Sequence, residues 1–226
     1  MEQSFEEQYL EKGFNSQRRY PNESFISFLG TNYFSLEIKQ RKEIKILELG
    51  CGSGANLWMV AKEGFDTYGI DFSPTGIKYC NEMLSDWGVT AKVEVGDFTK
   101  LQFSDNKFDV IFDVVSLQHI NYKQHKQAYR EIYRCLKSGG KFYSYHLGEN
   151  SISLKSSIEM VDHCTLKNIS VGYPLANNGQ TCFLSANEVR EMLLSIKFKN
   201  VVIDKIVRSY SNQTFYIEYL SITAEK

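Results

Sequence analysis

Three glycines stand at alternate positions directly after a short apolar run, and an acidic residue lies two places before the first of them. The glycines are Gly50, Gly52 and Gly54, the acid is Glu48, and the run covers residues 44–49. An apolar run, a glycine turn and then an amphipathic pattern predict a buried strand, a tight turn and a helix. Such a turn presents free backbone N–H groups beside the positive end of a helix dipole. It therefore predicts a site for the polar part of a nucleotide-like ligand.

The glycine spacing by itself fits two kinds of ligand. Gly50-x-Gly52-x-x-Ala55 satisfies a dinucleotide fingerprint. With Glu48 included, the motif resembles motif I of the class I S-adenosylmethionine (SAM) methyltransferases. In that family the carboxylate lies under the methionine end of a zwitterionic, sulfonium-bearing cofactor, whereas beside a pyrophosphate it would face like charge. The acidic residue thus favours SAM.

Two further acidic residues follow predicted strands at the distances that the resemblance implies. Asp71 ends the predicted strand 66–71, 21 positions after Gly50 (71 − 50), where a carboxylate accepts hydrogen bonds from ribose hydroxyls. Asp97 follows the predicted strand 89–95. In the methyltransferases an acid at that place bonds the adenine amino group and an adjacent side chain packs on the ring; a simple turn is the alternative.

The resemblance covers residues 44–147 by ordered motifs and residues 185–224 by topology. It includes the turn Leu136-Lys137-Ser138-Gly139-Gly140, in which serine replaces the family's usual proline. The cofactor-binding residues that it implies are Glu48, Gly50, Cys51, Gly52, Gly54, Asn56, Asp71, Phe72, Asp97, Phe98, Asp113, Ser116, Arg19 and Tyr20. For the last two the alternative is a solvated turn.

Two histidines are candidates for a general base, because each follows a predicted strand at the edge where ligands bind in open α/β sheets. His119 comes after the fourth strand and His146 ends the fifth. A histidine can take a proton from a hydroxyl or an amine near neutral pH. His119 could instead hold backbone or the cofactor's methionine end. We expect no metal, because Asp113 lacks a second carboxylate at metal-binding spacing.

The elements that must position these residues alternate strand and helix five times and end in a hairpin. The predicted fold is α/β: a Rossmann-like, seven-stranded, mostly parallel sheet with an antiparallel C-terminal strand and helices on both faces. Residues 1–40 are predicted to form a helical lid, in which Phe5, Tyr9 and Phe14 give one helix an apolar face. Residues 41–226 form the SAM-binding domain, with a variable insertion at about 149–181.

The composition of the chain argues against nucleic acid and membranes as binding partners. The 226 residues carry 26 Lys and Arg against 27 Asp and Glu, without the basic patch of a strong nucleic-acid binder. No apolar run is long enough to span a bilayer, and the N-terminus does not resemble a leader. Five scattered cysteines predict reduced thiols. We therefore expect a cytoplasmic monomer or homodimer that binds neither nucleic acid nor membrane.

The resemblance implies an enzyme that moves a methyl group from SAM to an O or N atom of a small molecule, such as a metabolite or a sugar-like acceptor. S-adenosylhomocysteine is then the product. Two alternatives stay open: an NAD(P)-dependent oxidoreductase of Rossmann type, and a SAM-binding module without catalysis. The Asn/Asp-Pro-Pro-Tyr/Phe motif of DNA-adenine and glutamine methyltransferases is absent after the fourth strand, where the chain reads Asp113-Val114-Val115-Ser116.

Overall fold

A computed structural model describes residues 2–151, 159–169 and 179–226. Its helices are α1 (Glu2–Lys12), α2 (Glu23–Asn32), α3 (Ile38–Arg41), α4 (Leu57–Lys62), α5 (Pro74–Asp86), α6 (Tyr122–Cys135) and α7 (Ala186–Ser195). Its strands are β1 (Lys45–Leu49), β2 (Asp66–Asp71), β3 (Lys92–Val95), β4 (Phe108–Val114), β5 (Leu136–Leu147), β6 (Glu159–Met160), β7 (Thr165–Lys167), β8 (Thr181–Cys182), β9 (Lys199–Tyr210) and β10 (Phe215–Glu225). No helix in the described ranges is long and apolar enough to cross a membrane.

The main sheet has seven strands in the order β3-β2-β1-β4-β5-β10-β9. Strands β1 to β5 pair in parallel, and β10 lies antiparallel between β5 and β9. The predicted fold class is confirmed. Parallel strands bring their carboxyl ends to one edge of the sheet, so the residues after β1, β2, β3 and β4 meet there.

Helices cover both faces of this sheet, as β4 shows by its alternating side chains. Phe112 faces α2 and stacks on Phe25 with ring centroids 3.9 Å apart. Its neighbour Ile111 belongs to the opposite core, which contains Ile132 of α6 and Leu193 of α7. A strand buried on both faces needs a nearly continuous apolar sequence, which β4 has.

Side-chain caps are present at the starts of α2, α5 and α7. Asn22 accepts hydrogen bonds from two N–H groups at the start of α2, and Ser73 accepts one at the start of α5. Ser185 and Glu188 form a capping box at the start of α7. The third strand begins at Lys92 rather than at residue 89, because residues 87–91 first close the end of α5.

The two parts of the chain assigned to a lid and an insertion differ in how they pack. Within residues 1–40, α1 lies against α5, whereas α2 buries Phe25, Phe28 and Leu29 in the core of the main sheet. The lid hypothesis therefore concerns α1. The described part of the insertion forms a small antiparallel sheet, β6-β7-β8; residues 152–158 and 170–178 lie outside the described ranges.

Candidate active site

A cavity of about 280 Å³ opens at the carboxyl edge of the main sheet. From the first turn its wall contains Glu48, Gly50, Cys51 and Gly52. From the later strand ends it contains Asp71, Phe72, Phe98, Ser116 and His119. Nine of the predicted site residues thus share one wall, because the parallel strands end side by side.

Glycine is required at two positions of the first turn. Gly50 and Gly52 have φ values of +64° and +51°, in the left-handed region that disfavours a side chain. A Cβ atom on Gly50 would lie 2.3 Å from the Cβ of Ser116, and one on Gly52 would lie 2.5 Å from the Tyr9 hydroxyl. The turn therefore brings bare backbone to the cavity surface.

Asp71 ties the end of β2 to this turn. One carboxylate oxygen accepts the N–H of Gly52 at 2.8 Å, and the other accepts the N–H of Ser73 at 2.9 Å. Burial raises the pKa of Asp71, and the two backbone bonds oppose that rise. A carboxylate has about four lone-pair sites, so its oxygens retain capacity for the hydroxyls of a ligand.

Glu48 lines the cavity and carries a buried carboxylate oxygen that no protein group bonds in the described ranges. Its side chain is 1% exposed, and Oε1 accepts a hydrogen bond from Asn56 Nδ2 at 2.6 Å. Oε2 has no hydrogen-bond partner among the described residues. Burial raises the pKa of Glu48 to about 8, against the opposing effects of Asn56 and Arg18. A buried oxygen without a partner costs free energy, and a cationic ligand group would remove that cost.

Arg18 lines the cavity, and its guanidinium donates to Asn56 Oδ1 at 3.1 Å. The two neighbours for which a cofactor contact was predicted do not line it. Arg19 forms an ion pair with Asp86 at 3.2 Å, and Tyr20 is 65% exposed beside two tryptophan rings. The two arginines are adjacent in the sequence, which does not reveal which of them points inward.

His119 is held by the protein at both ring nitrogens. Nδ1 lies 3.0 Å from the Gln180 carbonyl, to which it must donate, and Nε2 lies 3.3 Å from the Gln118 amide nitrogen. The Gln118 oxygen accepts the Leu147 N–H, which orients the amide. Burial lowers the pKa of His119 to about 4, so the imidazole is neutral at pH 7. Phe5 packs edge-on against it at 4.7 Å.

The chain turns sharply between β4 and His119. Val115 has φ +56°, which is rare for a β-branched residue, and its N–H donates to the Tyr145 carbonyl at 2.7 Å. The Ser116 hydroxyl then bonds the Leu49 carbonyl at 2.6 Å. This strained turn connects the ends of β1 and β4, and no residue type in the sequence predicts it.

Asp113 supports the same turn from below the cavity wall. It is fully buried and accepts the N–H groups of Ser116 and Leu117, each at 2.9 Å, and the Ser144 hydroxyl at 2.9 Å. Its oxygens are therefore occupied by protein donors. In this structure the carboxylate positions Ser116, and direct contact with the cofactor stays a prediction.

Four more of the predicted site residues lie outside the cavity wall. His146 is fully buried, donates from Nδ1 to the Leu147 carbonyl at 3.0 Å, and has a pKa lowered to about 4 by burial. This placement does not support its assignment as a base. Asp97 is exposed and accepts the N–H and hydroxyl of Thr99. The remaining two are Gly54 and Asn56.

One group of possible metal ligands occurs in the described ranges, and none of its members lines the cavity. Donor atoms of Asp162, His163 and Cys164 lie within 4.8 Å of one another. The Asp162 carboxylate already accepts three backbone N–H groups, and His163 Nε2 lies 2.6 Å from Glu188. The expectation of a metal-free protein stays a prediction.

Helix α1 covers the cavity and supplies residues that the site prediction omitted. Phe5 and Tyr9 line the cavity, one helical turn apart, and Gln17 follows. The Glu6 carboxylate accepts hydrogen bonds from the hydroxyls of Ser73 and Thr75 at the start of α5. The spacing of aromatic residues in α1 is the signal that could have identified these contacts.

Comparison with known proteins agrees with this architecture. Residues 46–140 match the family described as "Methyltransferase domain". The chain is 34% identical over 139 residues to phosphoethanolamine N-methyltransferase 3 of Arabidopsis thaliana, and 30% identical over 113 residues to a sterol 4-C-methyltransferase of Caenorhabditis elegans. These alignments cover 59% and 49% of this chain, but only 28% and 33% of the relatives.

The fold is shared with solved structures. A SAM-dependent methyltransferase of Methanosarcina mazei superimposes with a TM-score of 0.64 at 22% identity, covering 80% of this chain and 92% of that one. The family match over residues 46–140 contains the glycine turn, Asp71 and the loop after β4, and β9 and β10 complete the same sheet. Residues 46–140 therefore match a methyltransferase domain, and the chain shares the fold of a solved SAM-dependent methyltransferase.

Proposed function

We propose that this protein is an enzyme that transfers a methyl group from SAM to an O or N atom of a small molecule, such as a metabolite or a sugar-like acceptor. One observation carries the proposal. The glycine turn, the buried Glu48 with an open oxygen and the carboxylate of Asp71 line a single cavity. Together they match the chemical groups of a nucleoside that carries a charged amino acid.

Each part of the cofactor has a counterpart in the wall. The open oxygen of Glu48 suits an ammonium group, and Arg18 beside it suits a carboxylate. Asp71 suits the ribose hydroxyls, and the ring of Phe98 suits one face of the adenine. SAM supplies an activated methyl group, so the protein needs mainly to bind, orient and exclude water.

His119 is the residue best placed to accept a proton from the acceptor. Because its pKa is low, it is in the neutral, basic form at pH 7. Nδ1 donates to Gln180, so Nε2 is the accepting atom, and the acceptor's proton must replace the hydrogen bond from Gln118. A base with so low a pKa is weak, which places its contribution near the lower end of the usual 10²–10⁴-fold range.

Helix α1 acts as the lid of this site. Phe5 and Tyr9 occupy the cavity surface between the glycine turn and His119, and Glu6 holds the helix to α5. Loading of the cofactor requires Tyr9 to move, because its hydroxyl lies in van der Waals reach of the bare backbone at Gly52. Closure over the bound cofactor then excludes water from the transfer.

We also propose that the acceptor is a dissolved molecule and that the protein acts in the cytoplasm as a monomer or homodimer, without nucleic acid or membrane. The net charge of −1 supports this, because strong binding to phosphates or anionic lipids requires clustered positive charge. The wall of the cavity has one cationic side chain in the described ranges, Arg18.

Two measurements test the function. Isothermal calorimetry should show binding of SAM and S-adenosylhomocysteine and no comparable binding of NAD(H) or NADP(H). Release of S-adenosylhomocysteine should then be assayed with phosphoethanolamine, a sterol and a panel of hydroxylated and amino metabolites. Preferential binding of a nicotinamide cofactor would refute the proposal in favour of an oxidoreductase. Tight SAM binding without turnover on any acceptor would favour a non-catalytic module.

A further inference from the structure

Two buried cysteines face each other in the small sheet beside the cavity. Cys164 precedes β7 and Cys182 ends β8, and their side chains are 5% and 0% exposed. Their sulfur atoms lie 2.7 Å apart, closer than two non-bonded sulfurs usually approach. The Phe183 N–H bonds the Cys164 carbonyl at 2.7 Å, which holds the two backbones together. The fold therefore brings two thiols from positions 18 residues apart into direct contact.

The surroundings of the two sulfurs differ. Both sulfurs are in contact with each other, and the side chain of His125 lies next to Cys182. His125 Nδ1 lies 3.1 Å from the Asn121 carbonyl and must donate to it, which leaves the other ring nitrogen as a hydrogen-bond acceptor. The histidine beside Cys182 assigns the nucleophile to Cys182 and the resolving thiol to Cys164.

We propose that Cys164 and Cys182 form a redox-active pair that a peroxide converts to a reversible disulfide. The Cys182 thiolate attacks one peroxide oxygen and becomes a sulfenic acid, while the other oxygen leaves as hydroxide and takes a proton to become water. The Cys164 sulfur then attacks the Cys182 sulfur, the S–S bond forms, and the sulfenic oxygen leaves as a second water. Two thiols are oxidised and one hydrogen peroxide is reduced to two waters. A small dithiol reverses the reaction by exchange.

A disulfide between Cys164 and Cys182 would restrict the part of the cavity wall that contains His119. Gln180 lies two residues before Cys182; its carbonyl accepts from His119 Nδ1, and its amide donates to the His119 carbonyl at 3.0 Å. Gln180 and β8 therefore connect the cysteine pair to the cavity wall. A disulfide would restrict the movement of β8 and Gln180 without a large displacement, because the sulfurs are already in contact.

Peptide mapping of the oxidised native protein tests the proposal. The protein is treated with a small excess of hydrogen peroxide, alkylated and digested with trypsin without reductant. Trypsin cleaves after Lys155, Lys167 and Arg190, which places the two cysteines in the peptides 156–167 and 168–190. We expect these two peptides to be recovered as one disulfide-linked species, about 2 Da lighter than the sum of the reduced peptides. Dithiothreitol should separate them.

Three variants sharpen the test. Cys135→Ser is the matched control: Cys135 is equally buried and contacts the Phe103 carbonyl, so the linked species should persist. Cys164→Ser removes the resolving thiol, so the sulfenic acid at Cys182 should accumulate and be trapped by dimedone. Cys182→Ser should leave Cys164 unreactive, with at least tenfold less trapping. Circular dichroism of each variant establishes that it is folded.

Two outcomes would overturn the proposal. The first is a folded wild-type protein in which peroxide yields no linked peptide, or yields it only after unfolding in urea. The second is a linkage of Cys51 to Cys80 instead, which the structure disfavours because the neighbouring Cys80 and burial raise the pKa of Cys51 well above its ordinary value. Equal trapping in the Cys164→Ser and Cys182→Ser variants would refute the assigned roles of the two thiols.

Discussion

Replacing Glu48 by glutamine should stabilise the ligand-free protein while weakening its binding of the cofactor. Glu48 is buried, and its pKa rises from an ordinary 4.5 to about 8. The folded state therefore holds a proton that the unfolded state loses above pH 4.5, and the free energy of unfolding falls as pH rises through that interval. Glutamine is nearly isosteric, can still accept from Asn56, and does not titrate.

The magnitude follows from the pKa of Glu48. One pH unit corresponds to about 1.4 kcal/mol, so between pH 5 and pH 7.5 the wild type should lose about 3 kcal/mol that Glu48→Gln retains. The same substitution that stabilises the ligand-free protein should weaken its binding of the cofactor. Loss of a hydrogen bond to a charged group should weaken S-adenosylhomocysteine binding by about 1.5–3 kcal/mol, or roughly 10- to 150-fold. Because the ammonium group favours ionised Glu48, binding to the wild type at pH 7 should also release about one proton.

Urea unfolding at pH 5 and pH 7.5 measures the change in stability, as the difference in the free energy of unfolding between Glu48→Gln and the wild type. Calorimetry in two buffers of different ionisation enthalpy measures affinity and proton release together. Glu94→Gln, an exposed glutamate on β3, is the matched control and should change neither quantity. A Glu48→Gln difference that stays constant between the two pH values, or unaltered proton release, would show that Glu48 is not the buried carboxylate facing the ligand.

Three more substitutions test other parts of the site. Gly50→Ala should lower the free energy of unfolding more than Gly88→Ala, as measured in urea. Both glycines have φ above +60°, so an alanine at either position costs about 1–2 kcal/mol of backbone strain. Only at Gly50 would the added Cβ also contact Ser116, and equal losses of stability in the two variants would refute that contact. Asp71→Ala should weaken S-adenosylhomocysteine binding by about 1.5–3 kcal/mol in calorimetry, and unchanged affinity in a folded variant would mean that another group holds the ribose. His119→Ala should reduce kcat at least about 100-fold with cofactor affinity within about threefold. In the wild type the acid limb of kcat should lie near pH 4 rather than 6.5, because the base is neutral above its lowered pKa, and a limb at 6.5 would exclude His119.

Local residue patterns were enough to predict the sheet and its main ligand-binding edge. The apolar run of β1, the glycine turn and Asp71 form one short stretch, and their chemistry depends on backbone conformation and sequence distance. The helix caps at Asn22, Ser73 and Ser185 likewise involve neighbours within three residues. These features are visible in a sequence because their partners are close in the chain.

Tertiary structure decided which of the predicted side chains face the cavity. Arg18 rather than Arg19 turns inward because the segment after α1 packs against Asn56, which is distant in sequence. His146 points into the core, although its place at the end of a strand resembles that of a catalytic residue. Asp113 accepts the Ser116 N–H and lies outside the cavity wall.

The contact between the two thiols also depends on tertiary structure rather than on sequence spacing. Cys164 and Cys182 have no spacing that marks a pair, and the sequence predicts five independent reduced cysteines. Only the pairing of β7 with β8 brings their sulfur atoms into contact. A sequence determines the backbone patterns that arise between near neighbours. The direction of a side chain and the environment of a buried group depend on residues far along the chain, which only the folded structure brings together.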